Sequence, residues 1–68
     1  MERQFVSSSN LVSVGYDVDD QILEIEFKSS TYRYFGVPQY VYDELMSADS
    51  KGGYHYQYIR TAYEYERV

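Results

Sequence analysis

Cysteine is absent from the 68 residues. No disulfide can therefore lower the entropy of the unfolded chain, and thiolate metal sites and thiol nucleophiles are excluded. The composition suits a reducing compartment. Nowhere do 18 apolar residues follow one another, and Met1-Glu2-Arg3-Gln4 opens no apolar stretch of the signal-peptide kind, so the expectation is a cytoplasmic protein with no membrane partner. Proline occurs once and glycine four times, and no linker, repeat or low-complexity tract divides the chain. At 8.1 kDa, one domain spanning residues 1–68 is expected, with a folded surface of ~4500 Å², about 60% of the unfolded surface buried and a thin core.

Basic residues are also scarce. Six Lys and Arg against eleven Asp and Glu leave a net charge of −5, which opposes nonspecific attraction to nucleic acid or anionic membrane. The average conceals a segregation, because residues 28–42 and 50–63 contain no acid at all. Those two stretches hold Lys28, Arg33, Lys51, Arg60, the single histidine His55 and eight of the ten tyrosines. Tyrosine fills a thin core well, burying its ring and leaving its hydroxyl in water, but ten exceed what a core of this size hides. An acid-free, tyrosine-rich surface follows.

Three segments alternate with strand period. Leu11–Asp17 turns Val12, Val14 and Tyr16 to one face; Gln21–Phe27 turns Leu23, Ile25 and Phe27 inward and Glu24 and Glu26 outward; Thr31–Phe35 sets Tyr32 and Tyr34 opposite Arg33. Asp19-Asp20 and Ser29-Ser30 mark the turns. A second loop centred on Ser29-Ser30 pairs Phe27 with Tyr32, Ile25 with Tyr34 and Glu26 with Arg33. An odd-numbered loop would instead oppose apolar to charged side chains. In the first hairpin, matching faces likewise pair Tyr16 with Leu23, Val14 with Ile25 and Val12 with Phe27.

Pro38 is preset for a first helical turn, and Val41, Leu45 and Ala48 recur at helical spacing, predicting a helix from about Pro38 to Ser47. Ser50 is a candidate N-cap for a second helix reaching about Arg60, although Gly52 and Gly53 weaken its start, so that residues 50–53 read equally as loop. The tail 63–68 alternates as an edge strand would. The fold class is α+β: a three- or four-stranded antiparallel β-meander packed on one or two C-terminal helices, with Val12, Val14, Leu23, Ile25, Phe27, Tyr34, Val41, Leu45 and Ile59 in the core.

No spacing resembles a nucleophile elbow or a glycine-rich phosphate loop, so the chain reads as no enzyme, with no catalytic residue and no cofactor. No metal is expected. There is one imidazole, and Asp17, Asp19 and Asp20 lack the glycine and distal glutamate of a calcium loop, reading instead as a solvated turn.

In order, Ser8-Ser9-Asn10, Gly15-Tyr16-Asp17, Leu23-Glu24-Ile25-Glu26-Phe27, Tyr32-Arg33-Tyr34, Val37-Pro38, Ser50-Lys51-Gly52 and Ile59-Arg60 followed by Tyr63 give the chain, over residues 6–65, a pattern that resembles the KTSC domain. That family is named for its occurrence at the C-terminus of some lysyl-tRNA synthetases and also occurs as small standalone proteins. The resemblance implies no established activity, and RNA binding only by association. Physically, bases stack on exposed tyrosines while cations meet phosphates. The leading expectation is accordingly a noncatalytic binding module with RNA, tRNA first, as partner, using Tyr32, Arg33, Lys51, Tyr54, Tyr56 and Arg60. The alternative is a protein–protein or self-association module, since exposed Tyr and Arg also concentrate at protein interfaces. A third is a small anionic, nucleotide-like ligand held by tyrosines and by amides around Ser50–Gly53.

Overall fold

A computed structural model describes residues 1–68. Five strands, β1 (Arg3–Phe5), β2 (Leu11–Asp17), β3 (Ile22–Phe27), β4 (Thr31–Phe35) and β5 (Glu64–Arg67), form one sheet in the order β1-β2-β3-β4-β5, each neighbour antiparallel. Between β4 and β5 the chain forms α1 (Gln39–Ser47) and α2 (Lys51–Tyr54), and α2 runs directly into a π-helical turn at His55–Ile59. The α+β meander is as the alternation predicts, and the tail supplies an edge strand. The other edge, β1, has no alternating pattern to announce it: all three of its residues are exposed.

Apart from the start of β2, the strand faces match expectation, but two registers differ. In the first hairpin Tyr16 faces Leu23 and Val14 faces Ile25, whereas a bulge at Val12 pairs Phe27 with Leu11. The extra residue turns Leu11 inward and displaces Val12 from its expected core position. In the second hairpin Leu23 faces Tyr34, Ile25 faces Tyr32 and Glu24 faces Arg33. The turn is centred one residue earlier, on Lys28-Ser29, and the Phe27 amide donates to the Ser30 carbonyl at 2.7 Å. A shift of two residues keeps every side chain on its face, so alternation cannot exclude it. Charge favours the observed pairing, because Glu24 is only 8% exposed and a carboxylate so enclosed needs a cation, whereas Glu26 has Ser13 Oγ donating to it at 2.7 Å.

Helices cover the inner face. Seven of the nine expected residues are buried; Leu11 and Val37 complete the core, while Phe27 packs half-buried at its rim. Pro38 immediately precedes α1, which buries Val41 and Leu45. Ser50 caps α2, its Oγ accepting from the Gly53 amide at 3.1 Å. Both glycines therefore lie inside the helix. Gly52 lies against Asn10, whose amide would have to shift for a Cβ, since Nδ2 would stand 2.9 Å from it. No helix is long and apolar enough to cross a membrane.

Candidate nucleotide-binding groove

Strand alternation places Tyr32 and Tyr34 of β4 on the inner face, opposite Arg67 and Tyr65 of β5. The helices do not reach across this end of the sheet. An open groove of about 850 Å³ remains, with Phe27, Tyr32, Tyr34, Tyr63 and Tyr65 supplying rings and Lys28 and Arg60 supplying cations. His55 is also in its lining, and Asn10, Ser29, Ser30 and Thr61 complete it without a single carboxylate. In a chain of net charge −5 this is a local exception.

The π-helical turn explains how His55 and Arg60 come together. Residues five apart on an α-helix diverge by about 140°. Here the Arg60 amide donates to the His55 carbonyl at 2.9 Å, the i+5 bond of a π turn, and both side chains face the groove.

His55 is half-buried between Phe27 and Tyr34, with ring centroids 4.9 and 5.5 Å away, and its Nε2 lies 2.7 Å from the Tyr34 hydroxyl. Burial, seconded by Arg60, lowers the His55 pKa and keeps the ring neutral. Burial also pushes the Tyr34 phenol up to about 12. With the Tyr34 O–H as donor to Nε2, the neutral ring carries its proton on Nδ1; with Nε2–H as donor, the hydroxyl accepts and Nδ1 is bare. Tyr32 and Tyr65 stand edge to face at 5.7 Å, and Tyr65 is 59% exposed. This arrangement can stack a planar ring and hold an anion. The one side-chain hydrogen bond of His55 is to Tyr34.

The six residues singled out from sequence are not brought together. Tyr32 and Arg60 line the groove, and exposed Tyr56 adjoins it with the Arg60 guanidinium 5.1 Å from its ring centre. Lys51 Nζ donates to the Ala48 carbonyl at 3.1 Å, closing the end of α1. Tyr54 donates to Glu44 Oε1 at 2.6 Å and packs on Tyr58, tying α2 to α1; burial and this bond raise its pKa. Arg33 lies on the other side of the sheet, its Nε donating to Glu24 Oε1 at 2.6 Å, in a row that runs Arg3, Gly15, Glu24, Arg33, Glu66 across all five strands. Of the amides around Ser50–Gly53, that of Gly53 is already taken by Ser50. Nowhere do three His, Asp or Glu side chains converge as metal ligands.

Lys28, Phe27, Tyr34, His55 and Tyr65 line the groove without being among the six residues singled out from sequence. Alternation carried part of that signal, because it sets Phe27, Tyr32 and Tyr34 on one face and Arg33 on the other.

The family model of the KTSC domain matches residues 7–63. An uncharacterised protein of Stutzerimonas stutzeri is 44% identical over 70 residues, covering 100% of this chain and 99% of its own. A lysine–tRNA ligase of Trichormus variabilis is 43% identical over 54 residues, 78% of this chain but 10% of the ligase. The crystal structure of a KTSC domain protein from Yersinia pestis superposes with a TM-score of 0.96 at 41% identity, covering 98% of this chain and 96% of that one. With a family match over most of its length, full-length relatives and the same fold, the chain belongs to the KTSC domain family.

Proposed function

We propose that this protein is a noncatalytic module that binds unpaired RNA, with tRNA the first candidate, in the cytoplasm. The observation that carries the reading is the groove between β4, β5 and the π-helical turn: aromatic rings, two cations and no carboxylate on an otherwise acidic protein. A base stacked on an aromatic side chain contributes roughly 1–3 kcal/mol, and cations beside it meet the backbone. The match to part of a lysine–tRNA ligase supports tRNA over other strands.

Few charges take part. Lys28 and Arg60 line the groove and Arg67 faces Tyr32 from the edge strand, so three cations at about −0.7 each set a log–log salt slope near −2. Titration of labelled tRNA and of single-stranded RNA at low salt is the direct test. Weak binding with that slope supports the reading; no binding at high micromolar protein removes it. In the latter case a mass that grows with concentration would favour self-association, for which Phe5, 85% exposed on edge strand β1, is the natural contact.

A further inference from the structure

A residue of the groove lining carries a polar atom that the fold leaves without a partner. His55 Nε2 is engaged by Tyr34, while Nδ1 has no protein partner and yet is not a buried, unsatisfied atom, so it meets solvent at a residue that lines the groove. A ring fixed by a hydrogen bond on one nitrogen and by Phe27 at its side holds its other nitrogen in a set direction. Lys28 from the β3–β4 turn and Arg60 beyond the π turn are the charged groups of the same lining.

We propose that the groove seats one unpaired nucleotide of an RNA strand, with its phosphodiester against Lys28, Arg60 and the Nδ1–H of His55 and its base against the rings of Tyr32 and Tyr65. This rests on the RNA-binding reading and adds where and how the strand is held. Its consequence is proton linkage. A phosphate beside His55 favours the charged imidazole, and on protonation of Nε2 the Tyr34 hydroxyl turns from donor to acceptor. Binding therefore takes up a proton, and affinity rises as the pH falls. The groups around His55 are Tyr34 and Tyr32 of β4, Tyr65 of β5, Tyr63, Lys28 and Arg60, with no carboxylate among them. Phenols, ammonium and guanidinium groups change charge well above pH 8, which leaves histidine as the responsive group.

The test uses a uridylate hexamer with free 5′ and 3′ hydroxyls, because a terminal phosphate would itself titrate near ~6. The His55 ring signals are followed by NMR from pH 5.5 to 8, with and without the hexamer, and affinity is measured at both ends. The expected results are a higher His55 midpoint in the complex and an affinity about three- to tenfold tighter at pH 5.5, one pKa unit being tenfold. His55→Gln removes the pH dependence, and Tyr65→Ala, at an exposed ring, weakens binding about tenfold at both pH values with melting temperature held. RNA binding with an unchanged His55 midpoint and full affinity in Tyr65→Ala would overturn the groove as the seat and leave RNA binding to another surface. If neither the hexamer nor tRNA binds at either pH, the RNA reading fails and this inference with it.

Discussion

Arg3 reaches Glu24 by crossing directly over Gly15. The guanidinium Nη1 lies 3.4 Å from Glu24 Oε2, and a Cβ on residue 15 would stand 2.8 Å from both Arg3 Cγ and the Glu2 carbonyl oxygen. The glycine is required for contact rather than for backbone conformation. Gly15→Ala should push the first three residues away from β2 and cost about 1 kcal/mol, at the low end for overpacking because a terminus can move. Hydrogen exchange would check this, with amides of residues 3–5 becoming faster and those of β3 unchanged.

The ion pair of Arg33 with Glu24 should behave as a structural pair. Arg33→Ala leaves the enclosed Glu24 carboxylate with only the longer contact to Arg3, and so should lower the melting temperature while leaving RNA affinity unaltered, since the groove is on the other side of the sheet. In that background Glu24→Gln should restore part of the loss, because removing both charges costs less than stranding one. Melting curves of the two single variants and the double variant decide it.

The bulge at Val12 makes a prediction of position. Leu11→Ala should cost roughly 2–4 kcal/mol, as should Leu23→Ala or Ile25→Ala, whereas Val12→Ala should cost less than about 1 kcal/mol. Denaturant unfolding of the four variants checks the order. Equal losses at 11 and 12 would mean the strand runs without a bulge.

Stability should fall at both ends of the pH scale for separate reasons. Burial sets the His55 pKa below its unfolded value, so the unfolded chain binds the proton first, and the contribution present above pH ~6.5 is lost as pH falls through the lowered folded value. The Tyr34 phenol is raised to about 12 by burial, so its contribution is complete below pH ~10 and lost as pH rises through that folded value. Thermal melts from pH 5 to 11 should show both arms. Tyr34→Phe should reduce the alkaline arm without abolishing it, because the Tyr54, Tyr16 and Tyr63 phenols are raised as well, and His55→Gln should flatten the acid one.

Much of the fold follows from periods readable in the chain. Strand period sets Leu23, Ile25 and Tyr34 on one face and Glu24 and Arg33 on the other, and helical spacing aligns Val41 with Leu45. The acid-free stretches likewise mark the segments that supply the groove's cations and most of its rings.

Alternation has a blind spot, however: a slip of two residues leaves every face unchanged. The need of buried Glu24 for Arg33 favours the observed register, and the bulge that replaces Val12 by Leu11 has no local pattern. The groove was less legible still. Lys51 and Tyr54 are drawn away from it by contacts to Ala48 and Glu44, made when α2 packs on α1, and Tyr65 joins it only when the tail pairs with β4. His55 and Arg60 meet through a π-helical turn whose spacing is not that of an α-helix. For most residues of β2, β3 and β4 the face follows from local alternation, because it depends on neighbours one or two positions away. Which residues share the groove was decided by the tertiary structure, because it depends on contacts between segments twenty or more positions apart.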